Sequence, residues 1–219
     1  VLLYGPPGTG KTYSAVKQST PLDMDGKPNV YQITMTEDTA SANLEGFYKP
    51  SSDGTFQWHD GIAIQAWRNG GRLVINDIDH ASPDAITFLH AILDDQDIAM
   101  LTLNNDEKET VRPAEGFQVV ATTNSPPESL PLALKDRFPV KIYVDSIHPK
   151  AMEQFPEEWH GVITDTTMVE DPEDRISVRA WSEFFQLHDK GFTPETAGKL
   201  VFGENSEELT DAILLSKAD

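Results

Sequence analysis

Five short apolar, β-branched runs mark the chain: VLLY at Val1 to Tyr4, NVYQITMT at 29 to 36, RLVIND at 72 to 77, FQVVATTN at 117 to 124 and VKIYVD at 140 to 145. Runs of this length and composition predict strands. Helical patterns separate the first four. The spacing therefore predicts an α/β fold with a five-stranded parallel sheet and right-handed crossovers. SPDAITFLHAILDD (82 to 95) opens on Ser-Pro, has an acid in its first turn and repeats apolar residues every three or four positions, which predicts a helix. IAMLTLNNDEKETV (98 to 111) alternates around Asn104-Asn105-Asp106 and predicts a β-hairpin. GFYKPSSDGTFQWHDG (46 to 61), rich in Gly, Pro, Ser and aromatics, is expected as an exposed insertion between two helical pieces. After Asp145 the strand character stops, and SVRAWSEFFQL (177 to 187) and SEELTDAILLS (206 to 216) have helical spacing. Two domains are expected: α/β over 1–145, and a small all-α domain over 146–219.

The turn after the first run carries the most specific chemistry. VLLYGPPGTGKT is a strand followed by G-x-x-x-x-G-K-T and a helix-compatible YSAVKQ, the context in which this pattern cradles phosphate. Gly5, Gly8 and Gly10 let successive backbone N–H groups turn inward toward phosphate oxygens. Lys11 supplies a point charge for the β and γ phosphates, and the Thr12 hydroxyl is a candidate Mg²⁺ ligand. Gly5, Pro6, Pro7, Gly8, Thr9, Gly10, Lys11, Thr12 and Tyr13 are the candidate nucleotide-binding stretch. In parallel sheets ligands sit at the carboxyl ends of the strands, where this loop, Asn76-Asp77 and Asn124 all fall.

Composition narrows the function classes. Among 219 residues, 17 Lys and Arg face 36 Asp and Glu, a net charge of −19 that repels nucleic acid and anionic lipid surfaces. The absence of Cys excludes disulfides, thiolate zinc sites and cysteine nucleophiles, and fits a reducing cytoplasm. No apolar run approaches the roughly 18 residues of a membrane span, and no charged-then-apolar leader opens the chain. The chain starts inside a strand without an initiator Met, so a further upstream segment is expected. Trp58, His59 and Asp60 do not form a metal site, because no second ligand stands at a suitable spacing; Trp58 is expected to pack within its own loop. His80 and His90 have no partner pattern either.

GPPGTGKT, DGIAIQAWRNGGRLVINDIDHASPD, FQVVATTN and LPLALKDRF together resemble the AAA+ ATPases, in the MoxR-like (dynein-related) branch that includes gas-vesicle, chelatase and enzyme-activating members. The resemblance implies a P-loop NTPase core with a helical lid, assembled as a ring, usually a hexamer, with ATP and Mg²⁺ at the subunit boundaries. It also implies that the 46 to 61 insertion and the 98 to 111 hairpin project toward the pore or a partner. Position by position, it implies that Asn124 orients the attacking water, that Arg137 is the arginine finger acting on a neighbouring subunit, and that Arg179 reads the nucleotide from the lid. Each has a plainer reading as well. Asn124 can simply terminate a strand, Arg137 can cap a helix C-terminus, and Arg175 competes with Arg179.

Against the family pattern I-D-x-A-S-P, the segment IDHASPD places Asn76 where the metal-associated Asp belongs and Asp77 where the catalytic Glu belongs. A shift by one would put Ile78 in the water-polarising position and break the downstream match. Asn keeps an acceptor oxygen but loses a charge beside the cation, so weaker Mg²⁺ retention is expected. Asp is one methylene shorter than Glu, so slow turnover is expected rather than none. Asp79 is a nearby acid that can compensate for the lost charge. The leading expectation is a ring ATPase that remodels or activates a protein partner, with a von Willebrand-type adaptor as one possibility. The alternative is a nucleotide-held scaffold with little or no hydrolysis. A third reading, a nucleic-acid translocase, runs against the charge. Preference for ATP over GTP rests on the resemblance alone.

Overall fold

The computed structural model describes residues 1–17, 22–23, 25–169, 171 and 173–203. The helix expected at 206 to 216 lies outside the described residues. The chain divides into two compact units: Val1–Tyr4 with Lys11–Tyr143, and Gly5–Gly10 with the segment from Val144 onward.

In the first unit the elements run β1 (Leu2–Tyr4), α1 (Lys11–Lys17), β2 (Val30–Thr34), α2 (Ser41–Glu45), β3 (Gly46–Pro50), β4 (Phe56–Asp60), α3 (Ile62–Arg68), β5 (Arg72–Asn76), α4 (Pro83–Ile92), β6 (Leu101–Thr102), β7 (Thr110–Val111), β8 (Gln118–Thr123), α5 (Leu132–Arg137) and β9 (Lys141–Tyr143). All five expected core strands form, slightly shorter than their apolar runs. They make one parallel sheet in the order β2-β5-β8-β1-β9. β5 is buried along its whole length, as a central strand covered on both faces must be. Leu73, Ile75, Ile64, Trp67, Leu89 and Phe138 are among the residues of the surrounding core. Arg72, at the start of β5, is also buried. It donates to the Ala15 carbonyl at 3.0 Å and to Gln118 Oε1 at 2.7 Å, so its charge serves the last described turn of α1.

α4 starts where the sequence predicts. Ser82 caps it by accepting from the Ala85 N–H at 3.1 Å, and Pro83 occupies the first turn, where its missing N–H costs nothing. The 46 to 61 insertion does lie between two helices, but it is a regular antiparallel hairpin, β3 with β4. Its strands are solvated on most positions, so no apolar/polar alternation marked them. Trp58 packs edge-on against Tyr48 with ring centroids 5.3 Å apart and donates to Asp60 at 2.8 Å. The 98 to 111 segment forms the expected hairpin, with β6 paired to β7. Two polar bridges join these hairpins. Arg68 donates to Asp60 at 2.6 Å and in bidentate fashion to Glu109 at 2.8 and 2.6 Å, while Glu45 accepts from the Asn104 N–H at 2.7 Å.

Among its described residues the second unit carries four α-helices: α6 (Pro149–Met152), α7 (His160–Thr167), α8 (Val178–Asp189) and α9 (Pro194–Phe202). α8 covers the helix expected at 177 to 187, with Ser177 as its cap. Its core is aromatic, with Trp159 against Trp181 at 5.8 Å and Trp181 edge-on to Phe184 at 5.7 Å.

The turn from α3 into β5 depends on Gly70, where φ is +59° and an added Cβ would lie 2.2 Å from the Glu115 carbonyl oxygen. Gly54, at the tip of the β3–β4 hairpin, has φ +83° with nothing near. In urea unfolding we expect Gly54→Ala to cost about 1 kcal/mol from backbone strain alone. Gly70→Ala should cost about 2–3 kcal/mol, because the clash is with backbone.

Candidate functional site

The sheet order sets β5, β8 and β1 side by side, and Asn76 and Asn124 lie at the carboxyl ends of the first two. α1 opens with Lys11 and Thr12. Lys11 Nζ donates to Asn124 Oδ1 at 2.9 Å, across 113 positions of sequence. Thr12 Oγ1 donates to Asn76 Oδ1 at 2.8 Å. Asn76 is 4% exposed, and its amide is oriented from both sides: Nδ2 donates to the Ile33 carbonyl at 3.4 Å, and Oδ1 also accepts from Thr122 Oγ1 at 3.3 Å. The acceptor oxygen is thus aimed at Thr12, and a hydroxyl that donates there keeps lone pairs for a cation.

Asp77 leaves the strand in the left-handed region, φ 51° and ψ 50°, which Asp tolerates better than most side chains. It starts a 3-10 turn over Ile78–His80. Asp79, in that turn, accepts from Ser125 Oγ at 2.7 Å. Lys11 is buried, and desolvation pushes its pKa down to about 8 from the ordinary 10.5. The negative charges of Asp77 and, more weakly, Asp79 act in the opposite direction.

The glycine-rich loop belongs to the second unit. Gly5, Gly8 and Gly10 have φ of 142°, 82° and 95°, values that side chains rarely adopt. Thr9 Oγ1 donates to the Pro6 carbonyl at 3.0 Å, and the Thr9 carbonyl accepts the His148 N–H at 3.0 Å. An added Cβ at Gly10 would come within 2.6 Å of the His148 Cβ. Pro7 is exposed within the loop, and Tyr13 is 38% exposed on α1.

Lys11, Thr12, Asn76 and Asn124 are therefore joined by hydrogen bonds, with Asp77 in the field of Lys11. Arg137 is not part of this network. At the end of α5, it donates to Asp94 at 2.6 Å and remains about one-third exposed. Arg179 is exposed on α8, while Arg175 donates to the Val169 carbonyl. Thr122 and Ser125 were not singled out from sequence. Strand alternation could have found Thr122, two positions before Asn124 and inside β8; nothing local marked Ser125.

Below pH 8, Lys11 is charged in both folded and unfolded chains, and the folded one bears the desolvation cost. Between pH 8 and 10.5 the unfolded chain holds the proton that the folded one has released, so stability contributed at this position rises with pH. We expect Lys11→Met to be more stable than the parent at pH 7, with the difference narrowing toward pH 10.5, as read by urea unfolding across that range.

Comparison with known proteins agrees with this architecture. A model of the AAA domain (dynein-related subfamily) matches residues 1–138. An uncharacterized protein of Staphylococcus haemolyticus (strain JCSC1435) is 34% identical over 154 residues, covering 67% of this chain and 56% of its own length. One from Staphylococcus aureus (strain USA300) is 33% identical over the same extent. The chain spans about half the length of the curated relatives it matches. A crystal structure from Cytophaga hutchinsonii, described as that of a candidate ATPase, superposes with a TM-score of 0.52 at 21% identity, over 70% of this chain and 43% of that one, a likeness of fold. The phosphate-loop motif, the parallel sheet and the family match lead to one conclusion: the chain belongs to the dynein-related subfamily of AAA-domain proteins.

Proposed function

We propose that this chain is a MoxR-like AAA+ ATPase subunit that hydrolyses ATP with Mg²⁺ in a homo-oligomeric ring, a hexamer by family habit, and uses the turnover to remodel or activate a protein partner. The observation that carries this reading is the pair of hydrogen bonds Lys11–Asn124 and Thr12–Asn76, which draws the phosphate-loop residues onto the ends of β8 and β5. A chain that only folded around this motif would have no need to bury an ammonium against a strand-end carboxamide.

The donor set fits a hard divalent cation: a hydroxyl, a carboxamide oxygen and a carboxylate, all oxygen. Mg²⁺ is typically held by one or two protein oxygens plus phosphates and water; among the described residues no group of three or more His, Cys, Asp or Glu gathers. Thr12, Asn76 and Asp77 would hold it, and when bound it would neutralise phosphate charge. The loop Gly5–Gly10, Lys11 and Tyr13 would take the nucleotide. Asp77 would accept the proton of the attacking water and Asn124 would orient that water. Arg137 would stabilise charge in a neighbouring subunit, released from or carried with Asp94. We assign residues 1–145 to the nucleotide-binding domain and 146–219 to the helical lid, with Arg179 as the lid arginine.

The bridged hairpins are the proposed contact for the partner or a von Willebrand-type adaptor. They flank an open groove of about 770 Å³ lined by Phe47, Trp58, His59, Gln65 and Asn105, among others. The net charge of −19 favours a protein there over nucleic acid. No described helix is long and apolar enough to cross a membrane, and we place the chain in the cytoplasm. One observation favours the scaffold alternative: Asn76 carries no charge and its oxygen already takes two hydroxyls.

Phosphate release from ATP, measured at protein concentrations that assemble rings, separates the two. We expect slow Mg²⁺-dependent turnover that falls about 10²-fold in Asp77→Ala. It should fall on the order of 10³-fold in Arg137→Ala, with assembly intact by sedimentation. Asn76→Asp should lower the Mg²⁺ concentration for half-maximal rate by about tenfold, because a full charge returns beside the cation. No turnover in the parent, with nucleotide binding retained, establishes the scaffold instead.

A further inference from the structure

We propose that Asp79 is a positioning residue for Asn124: by accepting the Ser125 hydroxyl, its carboxylate tethers the loop after β8 to the loop after β5 and so holds the Asn124 carboxamide against Lys11. The inference rests on the reading of Asn124 as the group that orients water.

Asn124 lies beyond the last residue of β8 and is exposed, so the strand ladder does not restrain its side chain. The Ser125 N–H turns back onto Thr123 Oγ1 at 2.9 Å. The next two residues, Pro126 and Pro127, have no N–H with which to anchor the segment. A tether to the neighbouring loop therefore falls to the Ser125 side chain, which donates to Asp79 Oδ2 at 2.7 Å across 46 positions.

Asp79 also acts on Lys11 through its charge, and Oδ2 lies 4.0 Å from His80 Nε2, but neither contact satisfies its other oxygen. Its side chain is 14% exposed, and Oδ1 is buried with no hydrogen-bond partner among the described residues. Nor does it cap its own 3-10 turn, whose cap position is Asp77. A buried carboxylate with one oxygen unsatisfied is costly, and it persists where the other oxygen does something the structure needs. Here that oxygen makes a charge-assisted bond one residue from Asn124. The same turn carries Asp77 at its start, so the tether also links the two strand ends that bear the proposed base and the proposed water-orienting group.

The test uses the full chain, with a readout independent of hydrolysis: the side-chain NH₂ resonances of Asn124 in an ¹⁵N–¹H spectrum, assigned by their loss in Asn124→Ala. Asp79→Ala and Ser125→Ala are expected to shift or broaden them. Asp79→Asn, which keeps an acceptor oxygen, and Ser125→Thr, which keeps the donor, should leave them near their parental positions. Unmoved resonances in a folded Ser125→Ala, or Asp79→Asn perturbing them as much as Asp79→Ala does, overturns the proposal. Should Asp79→Ala fail to fold, the Ser125 variants carry the same comparison. In turnover, each alanine variant should lower kcat by about tenfold with KM unchanged. The double variant should fall no lower than the worse single one, since both remove one bond. Additive losses overturn the tether. A parent that releases no phosphate defeats only the hydrolytic reading, and the Asn124 resonances still decide the role of Asp79.

Discussion

Burying the ammonium of Lys11 is the constraint on which the rest of the first unit depends. An ammonium loses much of its hydration at that depth, and the loss is offset by polar groups brought from distant parts of the chain. Asn124 comes from the end of β8, and the charges of Asp77 and Asp79 come from the turn after β5. Those groups can meet only because β5, β8 and β1 are neighbours in the sheet. The sheet in turn is held by fully buried strands such as β5 and by the polar anchorage of α1 to Arg72. Lys11 thus sets its charge against a neutral carboxamide oxygen, within the field of the two acids of the turn after β5.

Asn76, standing where the resemblance to AAA+ ATPases implies an acid, is a difference of chemistry at this corner more than of shape. The carboxamide fills the position at the end of β5, its nitrogen satisfied by the Ile33 carbonyl and its oxygen turned to Thr12 and Thr122. A carboxylate there would have no use for the Ile33 carbonyl, because it has nothing to donate. Asn76 is therefore a fitted residue with its hydrogen bonds in order. The negative charge that remains near Lys11 belongs to Asp77 and Asp79.

The two hairpins obey a different logic. Neither β3–β4 nor β6–β7 has a continuous apolar face of its own, and an isolated two-stranded ribbon is marginal in water. Arg68 clips Asp60 to Glu109, and Glu45 clips the start of β3 to Asn104, so each hairpin supports the other through charge-assisted bonds. Surface pairs of this kind contribute little singly, but a bidentate arginine shared by two carboxylates has the geometry in which such bonds matter.

Much of this was legible in the sequence. Strand runs, the glycine loop with Lys11 and Thr12, the Ser82 cap and the β6–β7 hairpin follow from local rules: period, turn chemistry, capping and motif spacing. The β3–β4 hairpin was visible only as an insertion, because its short strands carry no β-branched run and bury one face only in part. Arg137 was legible as a candidate from its surroundings, yet its bond to Asp94 was not, since that contact depends on how α4 and α5 pack. The sequence by itself determined the fold class and which residues are candidates for chemistry, because these depend on groups adjacent in the chain. Which of them touch was decided only by the tertiary structure: Lys11 with Asn124, Thr12 with Asn76, Asp79 with Ser125. The physical reason is that each pair is separated by 46 to 113 positions, and only the lateral order of the strands brings such distant groups within hydrogen-bond reach.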